Sequence, residues 1–392
     1  MNICFITSQH VSELRGGVER VTSILATEFN AKGYNVFMIS SLPPIDGDQL
    51  LENQFVLPND TINSKENQCF LATFVVNHKI DIIINQSEVK ANLELIKAST
   101  PNIPVISVIH TDPTAAIKAI LDNWDYWKIQ YGTLKFSLLS PYFYIRKLYQ
   151  TYTRKKYIKA KHLYYYNQSN AVVLLSEKFI KSFINLTKIK DISKLHAISN
   201  PQTITQTQNI ETVKNNIVLF VGRLVYQKRL DRLFRIWKKI KDKKDWKLII
   251  VGDGPDRDLY ESLCKKWHIE KVEFIGQCDP THYYKKAKVL CMTSSFEGSP
   301  CVIQEALQNC IIPIAFESFE SITDTIINNK NGFLIKPFNL KKYSVTLEKL
   351  ISDTEYQESI RRSIHSNNIK RALDSGIIVK KWEHLFHKLH KH

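Results

Sequence analysis

Short apolar runs alternate with longer segments of helical periodicity along the whole chain. Within residues 16–33, apolar side chains recur at Val18, Val21, Ile24, Leu25 and Phe29, a spacing that predicts a helix. Apolar runs that predict buried strands occupy residues 2–7, 34–40, 80–86, 103–110, 170–176, 215–222, 246–252, 272–276, 287–294 and 311–316. Such strands, separated by helices, are typical of parallel sheets covered on both faces.

The pattern divides into two halves, and each half predicts a doubly wound, Rossmann-like α/β domain. A polar stretch rich in Thr, Gln and Asn, residues 199–216, separates the halves. We therefore expect a first domain over residues 1–200 and a second over residues 201–375, facing each other across a cleft. Ligands of open α/β sheets bind at the carboxyl ends of the strands, so those ends are where chemistry is expected.

Composition narrows the class of protein. The seven cysteines include no C-x-x-C pair, and the twelve histidines lack metal-ligand spacing, so we expect neither a disulfide framework nor a metal site. A group of histidines at positions 384–392 is more typical of a polar helical tail than of a metal site. The N-terminus resembles no signal peptide, and no apolar run is long enough for a membrane span. These features favour a cytoplasmic protein.

Two of the predicted strand ends carry residues suited to phosphate. Gly16 and Gly17 follow the first strand and open a helix, where free backbone N–H groups can meet an anion. Gly222 ends the strand 215–222, and Arg223 and Lys228 follow it. Two cations at one strand end suit a diphosphate, although a tight turn and solvated surface charges explain the same residues without a ligand.

The segment 294–307, SSFEGSPCVIQEAL, combines two glutamates with a predicted helix start. Ser299 is the expected N-cap and Pro300 the first helical residue. The N–H groups of Cys301 and Val302 would then be free to hold a phosphate. Glu297 precedes this helix and Glu305 lies within it, and carboxylates accept hydrogen bonds from hydroxyls. A phosphate flanked by hydroxyl-bearing groups, as in a nucleotide-sugar, would use both features.

Taken together, these motifs resemble those of the retaining glycosyltransferases of family 4, which have the GT-B fold. The resemblance spans nearly the whole chain and is densest over residues 215–336. The matching motifs are Glu297 to Glu305 in the E-x7-E pattern, Gly222-Arg223 with Lys228, VGDGP at 251–255, GGVERV at 16–21 and Asn200-Pro201 between the domains. Gln304 and Cys301 stand where the family more often has aliphatic residues.

The resemblance implies a role for each matching residue of the second domain. Glu305 would accept hydrogen bonds from the donor ribose, and Glu297 would contact the transferred sugar. Arg223 and Lys228 would neutralise the diphosphate together with the start of the helix. The base would lie near Gly276 and Gln277.

The resemblance also implies a role for the first domain and a reaction. His110, which ends the strand 103–110, would lie close to the donor sugar, with His10 as a weaker candidate. The implied reaction is the metal-independent transfer of a hexose, with retention of the anomeric configuration, to a lipid-linked or polysaccharide acceptor. The first domain would lie on the acceptor side. A UDP-sugar is the preferred donor and GDP-mannose the next. The final helix, residues 376–392, would return to the first domain.

Two other classes of protein remain open at this stage. One is a non-catalytic protein that binds nucleotide-sugars or glycans on the same scaffold. The other is a nucleic-acid binding protein, suggested by the net charge of +16. We do not expect nucleic acid as a partner, because the basic residues concentrate in one segment rather than beside a known binding motif.

That segment, residues 131–166, is called here the basic aromatic segment. It contains nine tyrosines, eight Lys or Arg, and no Asp or Glu. Tyrosine rings and cations together suit the headgroup region of an anionic membrane. We expect peripheral contact with the inner face of the cell membrane. A helical pair with a solvated basic face is the alternative.

Overall fold

The computed structural model describes residues 1–12, 16–44, 50–202, 214–366 and 375–390. The expected linker at 199–216 and the histidine tail lie partly outside these ranges. The strands are β1 Asn2–Thr7, β2 Asn35–Ser40, β3 Gln54–Val56, β4 Ile82–Asn85, β5 Val105–Ile109, β6 Ala171–Leu174, β7 Leu195–Ala197, β8 Ile217–Val221, β9 Lys247–Val251, β10 Val272–Gly276, β11 Val289–Met292, β12 Ile312–Phe316 and β13 Phe333–Ile335.

Helices fill the connections between these strands. They are α1 Gly17–Ala31, α2 Lys65–Asn77, α3 Lys90–Ser99, α4 Ala115–Tyr131, α5 Thr133–Leu138, α6 Ser140–Gln168, α7 Glu177–Thr187, α8 Leu230–Lys239, α9 Arg257–Lys266, α10 Thr281–Lys286, α11 Cys301–Gln308, α12 Ile322–Thr325, α13 Leu340–Ser352, α14 Thr354–Ser366 and α15 Ser375–His390. A short 3-10 turn, Tyr226–Lys228, precedes α8. Within the described ranges, no helix is long and apolar enough to cross a bilayer.

Residue contacts divide the chain into two compact units. The first unit comprises Met1–Thr114, Thr153–Thr203 and Leu373–His392, and the second comprises Ala115–Tyr152 and Ile204–Ala372. The sequence assigned all of the basic aromatic segment to the first domain, whereas this division groups its residues 131–152 with the second unit. The grouping depends on tertiary contacts of α4 that no local pattern encodes.

The first unit is built on a fully parallel sheet in the order β3-β2-β1-β4-β5-β6-β7. Its central strands are buried on both faces, which explains their uninterrupted apolar sequences. Helix α15 packs against α1: the Phe386 ring lies 5.4 Å and the Trp382 ring 6.3 Å from the ring of Phe29.

The second unit contains a six-stranded parallel sheet in the order β10-β9-β8-β11-β12-β13. Its strand order reverses between β8 and β11, so the carboxyl end of β8 lies at a topological switch point. Helix α8 buries Leu233, Phe234 and Trp237 completely against this core. The doubly wound α/β fold expected from the sequence is therefore confirmed in each unit.

Candidate active site

Three glycines join the carboxyl ends of β8, β9 and β10. The Gly222 amide donates to the Val251 carbonyl at 3.0 Å, and the Gly252 amide donates to the Gly276 carbonyl at 2.8 Å. A Cβ atom at Gly252 would stand 2.1 Å from the carbonyl oxygen of Gly222, and its φ of +134° is one that side chains rarely adopt. Only glycine fits there, so the three strand ends form a rim of closely packed backbone.

Lys228 lies over this rim and pairs with Glu297. Its Nζ donates to Glu297 Oε1 at 2.7 Å, and its Cε lies 3.4 Å from where a Cβ on Gly222 would stand. The second oxygen of Glu297 accepts from Gln227 Nε2 at 3.1 Å. The structure therefore brings Gly222, Lys228 and Glu297 together, as the sequence predicts for one site. Gln227 was missed, because a neutral side chain in a loop gives no charge or spacing signal.

Arg223 differs from Lys228 although both follow the same strand. Its side chain is exposed, and no hydrogen bond or ion pair joins it to any residue in the described part of the chain. A forked cation beside the glycine rim is thus accessible to an anion from solution.

The start of α11 differs by one residue from the sequence prediction. The helix begins at Cys301, and Pro300 is its N-cap with φ −71° and ψ 106°. The expected cap by Ser299 is therefore wrong, because Pro300 is itself extended and so precedes the first helical residue, Cys301. Ser299 Oγ instead accepts from Gln304 Nε2 at 3.4 Å. The N–H groups of Cys301 and Val302 remain in the first helical turn.

Glu305 is almost completely buried, with 1% of its surface exposed. The hydroxyl of Tyr284, on α10, donates to its Oε2 at 2.5 Å. This contact fixes the carboxylate against the core. Tyr284 was not singled out from the sequence, because it meets Glu305 only when α10 and α11 pack on the same sheet. Gly276 is buried at the end of β10, and Gln277 after it is exposed.

Two histidines of the first unit were candidates from the sequence. His110 follows β5, and its Nε2 lies 2.6 Å from Gln86 Oε1, while its backbone amide donates to Glu88 Oε1 at 3.0 Å. Burial lowers the pKa of His110 to about 4, against the opposing charge of Glu88. His110 is therefore neutral at pH 7. His10, the weaker candidate, is 2% exposed.

Gly16 and Gly17 stand at the start of α1 as expected. Gly16 is the N-cap with φ −62° and ψ 177°, an extended conformation open to any residue. A Cβ atom on Gly16 would stand 2.7 Å from Oε2 of Glu19, the end of a flexible side chain, and one on Gly17 would meet nothing within 4 Å. The pair is therefore not required by the backbone turn. Arg15, which precedes it, lies outside the described residues.

A metal site was not expected, and the described residues contain no group of three or more His, Cys, Asp or Glu side chains that could hold a metal ion. Two cations of the second unit, Lys228 and Arg223, lie near the glycine rim. The carboxylate of Glu297 contacts both Lys228 and Gln227.

Residues 202–366 match the family described as glycosyl transferases group 1. The matched stretch contains every second-unit residue singled out above. Both sheets have the topology of the GT-B fold, in agreement with the expected fold.

Known relatives extend the comparison. The amylovoran biosynthesis glycosyltransferase AmsD of Erwinia amylovora is 28% identical over 55% of this chain and 62% of the relative. The GalNAc-alpha-(1->4)-GalNAc-alpha-(1->3)-diNAcBac-PP-undecaprenol alpha-1,4-N-acetyl-D-galactosaminyltransferase of Campylobacter jejuni is 31% identical over 43% of this chain and 47% of the relative. The chain thus spans about half to three fifths of the length of these relatives.

A solved structure shows that the similarity of fold extends over the whole chain. The structure of Alr3699/HepE of Anabaena in complex with UDP-glucose superimposes with a TM-score of 0.72. It covers all of both chains at 15% identity, a level at which the fold alone is shared.

Proposed function

We propose that the protein is a retaining, metal-independent glycosyltransferase that moves a hexose from a nucleotide-sugar to a lipid-linked or polysaccharide acceptor in cell-surface glycan assembly. The observation that carries the proposal is the Lys228–Glu297 pair, 2.7 Å long and seated on the glycine rim of a group 1 domain. The ion pair is held there beside the exposed cation Arg223. A nucleotide-sugar donor would use the cations for its diphosphate and the carboxylate for its sugar.

The diphosphate would meet Arg223, Lys228 and the first turn of α11. Arg223 is exposed and provides a fork of donors, whereas Lys228 provides a point charge. When the bond from the anomeric carbon to the diphosphate oxygen breaks, negative charge develops on that oxygen. Cations and amides already in place stabilise this charge without reorganisation. These groups take the role that a bound divalent cation has elsewhere, so we propose that no metal is needed.

The sugar and nucleoside would use the two glutamates. Glu297, held by Lys228 and Gln227, would accept a hydrogen bond from a sugar hydroxyl. Glu305, oriented by Tyr284, would accept from the ribose. The base would lie near Gly276 and the exposed Gln277.

We propose that transfer with retention proceeds by attack on the face that the leaving group occupies. The bond from the anomeric carbon to the acceptor oxygen forms while the bond to the diphosphate breaks. The acceptor hydroxyl proton passes to the departing phosphate oxygen, so the protein need not supply a base. A neutral His110 fits a hydrogen-bonding role toward the sugar rather than a cationic one.

We propose a UDP-sugar as the donor and GDP-mannose as the next candidate. HepE, which shares the fold, was crystallised in complex with UDP-glucose. The Campylobacter relative is named for a polyprenyl diphosphate-linked acceptor. Both support the proposal without fixing the sugar.

The basic aromatic segment supports a membrane-bound acceptor. Ile145, Leu148, Tyr149 and Tyr152 recur on one face of α6 with exposures of 67%, 56%, 70% and 71%. An apolar stripe in a segment with eight cations and no carboxylate suits an anionic lipid surface. We therefore propose peripheral contact with the inner face of the cell membrane.

Vesicle sedimentation tests this contact. The protein should sediment with phosphatidylglycerol vesicles more than with phosphatidylcholine vesicles. Ile145→Glu with Leu148→Glu should abolish sedimentation, whereas Val345→Glu, at a 50% exposed site on α13, should not. Equal sedimentation of both variants would refute the docking surface.

The donor site is tested by nucleotide binding in the presence of EDTA. UDP should raise the melting temperature, because a ligand of the native state stabilises it. Glu305→Ala and Arg223→Ala should each weaken UDP binding by roughly 1.5–3 kcal/mol, the value of a charge-assisted hydrogen bond. Arg362→Ala, an exposed arginine on α14, is the matched control. Unchanged affinity in both site variants would remove the site assignment.

A non-catalytic binding protein on the same scaffold is the second candidate. It predicts nucleotide-sugar binding without turnover. Release of UDP from a panel of UDP-sugars with a polyprenyl diphosphate-linked glycan would exclude it. Binding without any release of UDP would favour it over the enzyme.

A further inference from the structure

A buried network of charges begins at the residue that follows Lys228. Arg229 follows Lys228 in the chain, adopts a left-handed conformation with φ +50° and is 0% exposed. Its Nε and Nη2 donate to the two carboxylate oxygens of Asp231 at 2.9 and 3.1 Å. Its remaining nitrogen, Nη1, donates to Asp122 Oδ2 at 3.0 Å. Asp122 lies on α4, more than a hundred residues earlier in the chain.

Asp122 also reaches the segment that carries Glu297. Its Oδ1 accepts a short hydrogen bond from Arg232, and the Ser295 hydroxyl donates to its Oδ2. Ser295 stands two residues before Glu297, and its backbone amide donates to the Gln227 carbonyl at 2.9 Å. One carboxylate therefore joins the turn that presents Lys228 to the loop that presents Glu297.

The charges of this network balance only when Asp122 is present. Two guanidinium groups, Arg229 and Arg232, face two carboxylates, Asp231 and Asp122. The side chain of Arg232 is 3% exposed, and Asp122 is the one carboxylate within salt-bridge distance of it in the described part of the chain. Loss of Asp122 would leave a buried positive charge unpaired, which is strongly destabilising to its surroundings.

Further contacts fasten α4 to the 3-10 turn. The hydroxyl of Tyr226 donates to the Ala119 carbonyl at 2.8 Å, and its ring lies 4.7 Å from the ring of Tyr126. Residues 115–131 lie outside the stretch 202–366 that matches the family. The donor-side loops are thus held partly by a helix that the family domain does not include.

We infer that Asp122 is a positioning residue for the donor site, which fixes the turn 226–229 and the loop 293–297 so that Lys228 and Glu297 meet. It acts through Arg229, Arg232 and Ser295 and does not itself touch the donor. The inference rests on the proposed function for the identity of the ligand and on the network alone for the positioning.

The test compares Asp122→Ala, Asp122→Asn and Lys128→Ala, an exposed residue of the same helix that serves as control. The ligand is UDP, titrated by calorimetry with EDTA present. Asp122→Ala should raise the Kd at least tenfold, Asp122→Asn should raise it less because the amide oxygen still accepts a hydrogen bond, and Lys128→Ala should leave it unchanged. A merely structural role would lower the melting temperature and leave the Kd of the folded fraction as it is.

A double variant tests whether the unpaired charge of Arg232, rather than a loss of folded protein, causes the change in Kd. Asp122→Ala combined with Arg232→Met removes both charges of the pair, so its Kd should lie closer to wild type than that of Asp122→Ala alone. Hydrogen–deuterium exchange adds a readout without ligand. Backbone amides of 226–229 and 293–297 should exchange faster in Asp122→Ala, while those of α13 should not change.

The outcomes separate the two proposals. If wild-type protein binds no nucleotide, the proposed function fails, and the exchange experiment alone decides the positioning role. If wild type binds UDP and Asp122→Ala binds it with the same Kd, the positioning inference is overturned while the donor site stands. Unchanged exchange in both loops would overturn it as well.

Discussion

The Lys228–Glu297 pair has a natural counterpart on the surface of the same unit. Lys247 Nζ and Glu273 Oε1 are also 2.7 Å apart. Their side chains are 57% and 45% exposed, against 18% and 10% for Lys228 and Glu297. The two pairs have the same N–O distance and differ in burial. Replacing each lysine by methionine therefore isolates the effect of burial on the stability that an ion pair contributes.

The magnitudes follow from Coulomb's law. At such a separation two unit charges attract by about 1.5 kcal/mol in water and by about 6 kcal/mol at an effective dielectric constant of ~20. Desolvation of Lys228 and Glu297 offsets much of the larger value. Glu297 also keeps its hydrogen bond from Gln227 after the lysine is lost. We therefore expect Lys228→Met to cost about 2 kcal/mol, and Lys247→Met about 0.5 kcal/mol as for other exposed pairs.

Melting temperature, followed without ligand, is a direct assay of this difference. For a domain of 150–250 residues each kcal/mol corresponds to roughly 2–4 °C, so Lys228→Met should lower the melting temperature by about 4–8 °C. Lys247→Met should lower it by about 1–2 °C. Equal shifts for the two variants, or a more stable Lys228→Met, would show that burial does not strengthen the pair at the proposed donor site.

Three further predictions concern other contacts. Gly252→Ala should destabilise the second unit by roughly 3 kcal/mol or more, because its Cβ would stand 2.1 Å from the Gly222 carbonyl; a melting temperature within 2 °C of wild type would contradict the rim geometry. Tyr284→Phe leaves buried Glu305 without its phenol donor and should cost about 1–3 kcal/mol by thermal melting, with weaker UDP binding in calorimetry. The pKa of His110 is about 4 in the fold and 6.5 when unperturbed, so between these values the unfolded chain binds more protons than the folded chain. The free energy of unfolding should therefore fall as the pH drops from 7 toward 4. The fall should be less steep in His110→Gln.

The strands and helices that the sequence predicted are those with long, regular patterns. The run 272–276 coincides with β10, and residues 16–33 enclose α1. The three strands that were not predicted, β3, β7 and β13, are three residues long and lie at sheet edges. Such strands contain too few residues for any periodicity, and they depend on pairing with a neighbouring strand that is already formed.

The candidate site was predictable to the extent that its residues follow strand ends directly. Gly222, Lys228 and Glu297 meet because parallel strands place their carboxyl ends at one edge of the sheet. Tyr284 and Asp122 were not predictable, since each reaches the site from an element distant in sequence. Their positions follow from packing between helices, which a linear pattern does not encode.

The second unit is interrupted in sequence, because Ala115–Tyr152 and Ile204–Ala372 share it. A hybrid chain could be cut at residue 202, where the match to the glycosyl transferases group 1 family begins. Such a hybrid would receive Arg232 from this protein and the counterpart of α4 from another. Unless that counterpart offers a carboxylate in the same place, the recipient would contain a buried, unpaired arginine. A transferable second unit of this protein therefore has to include both pieces of chain.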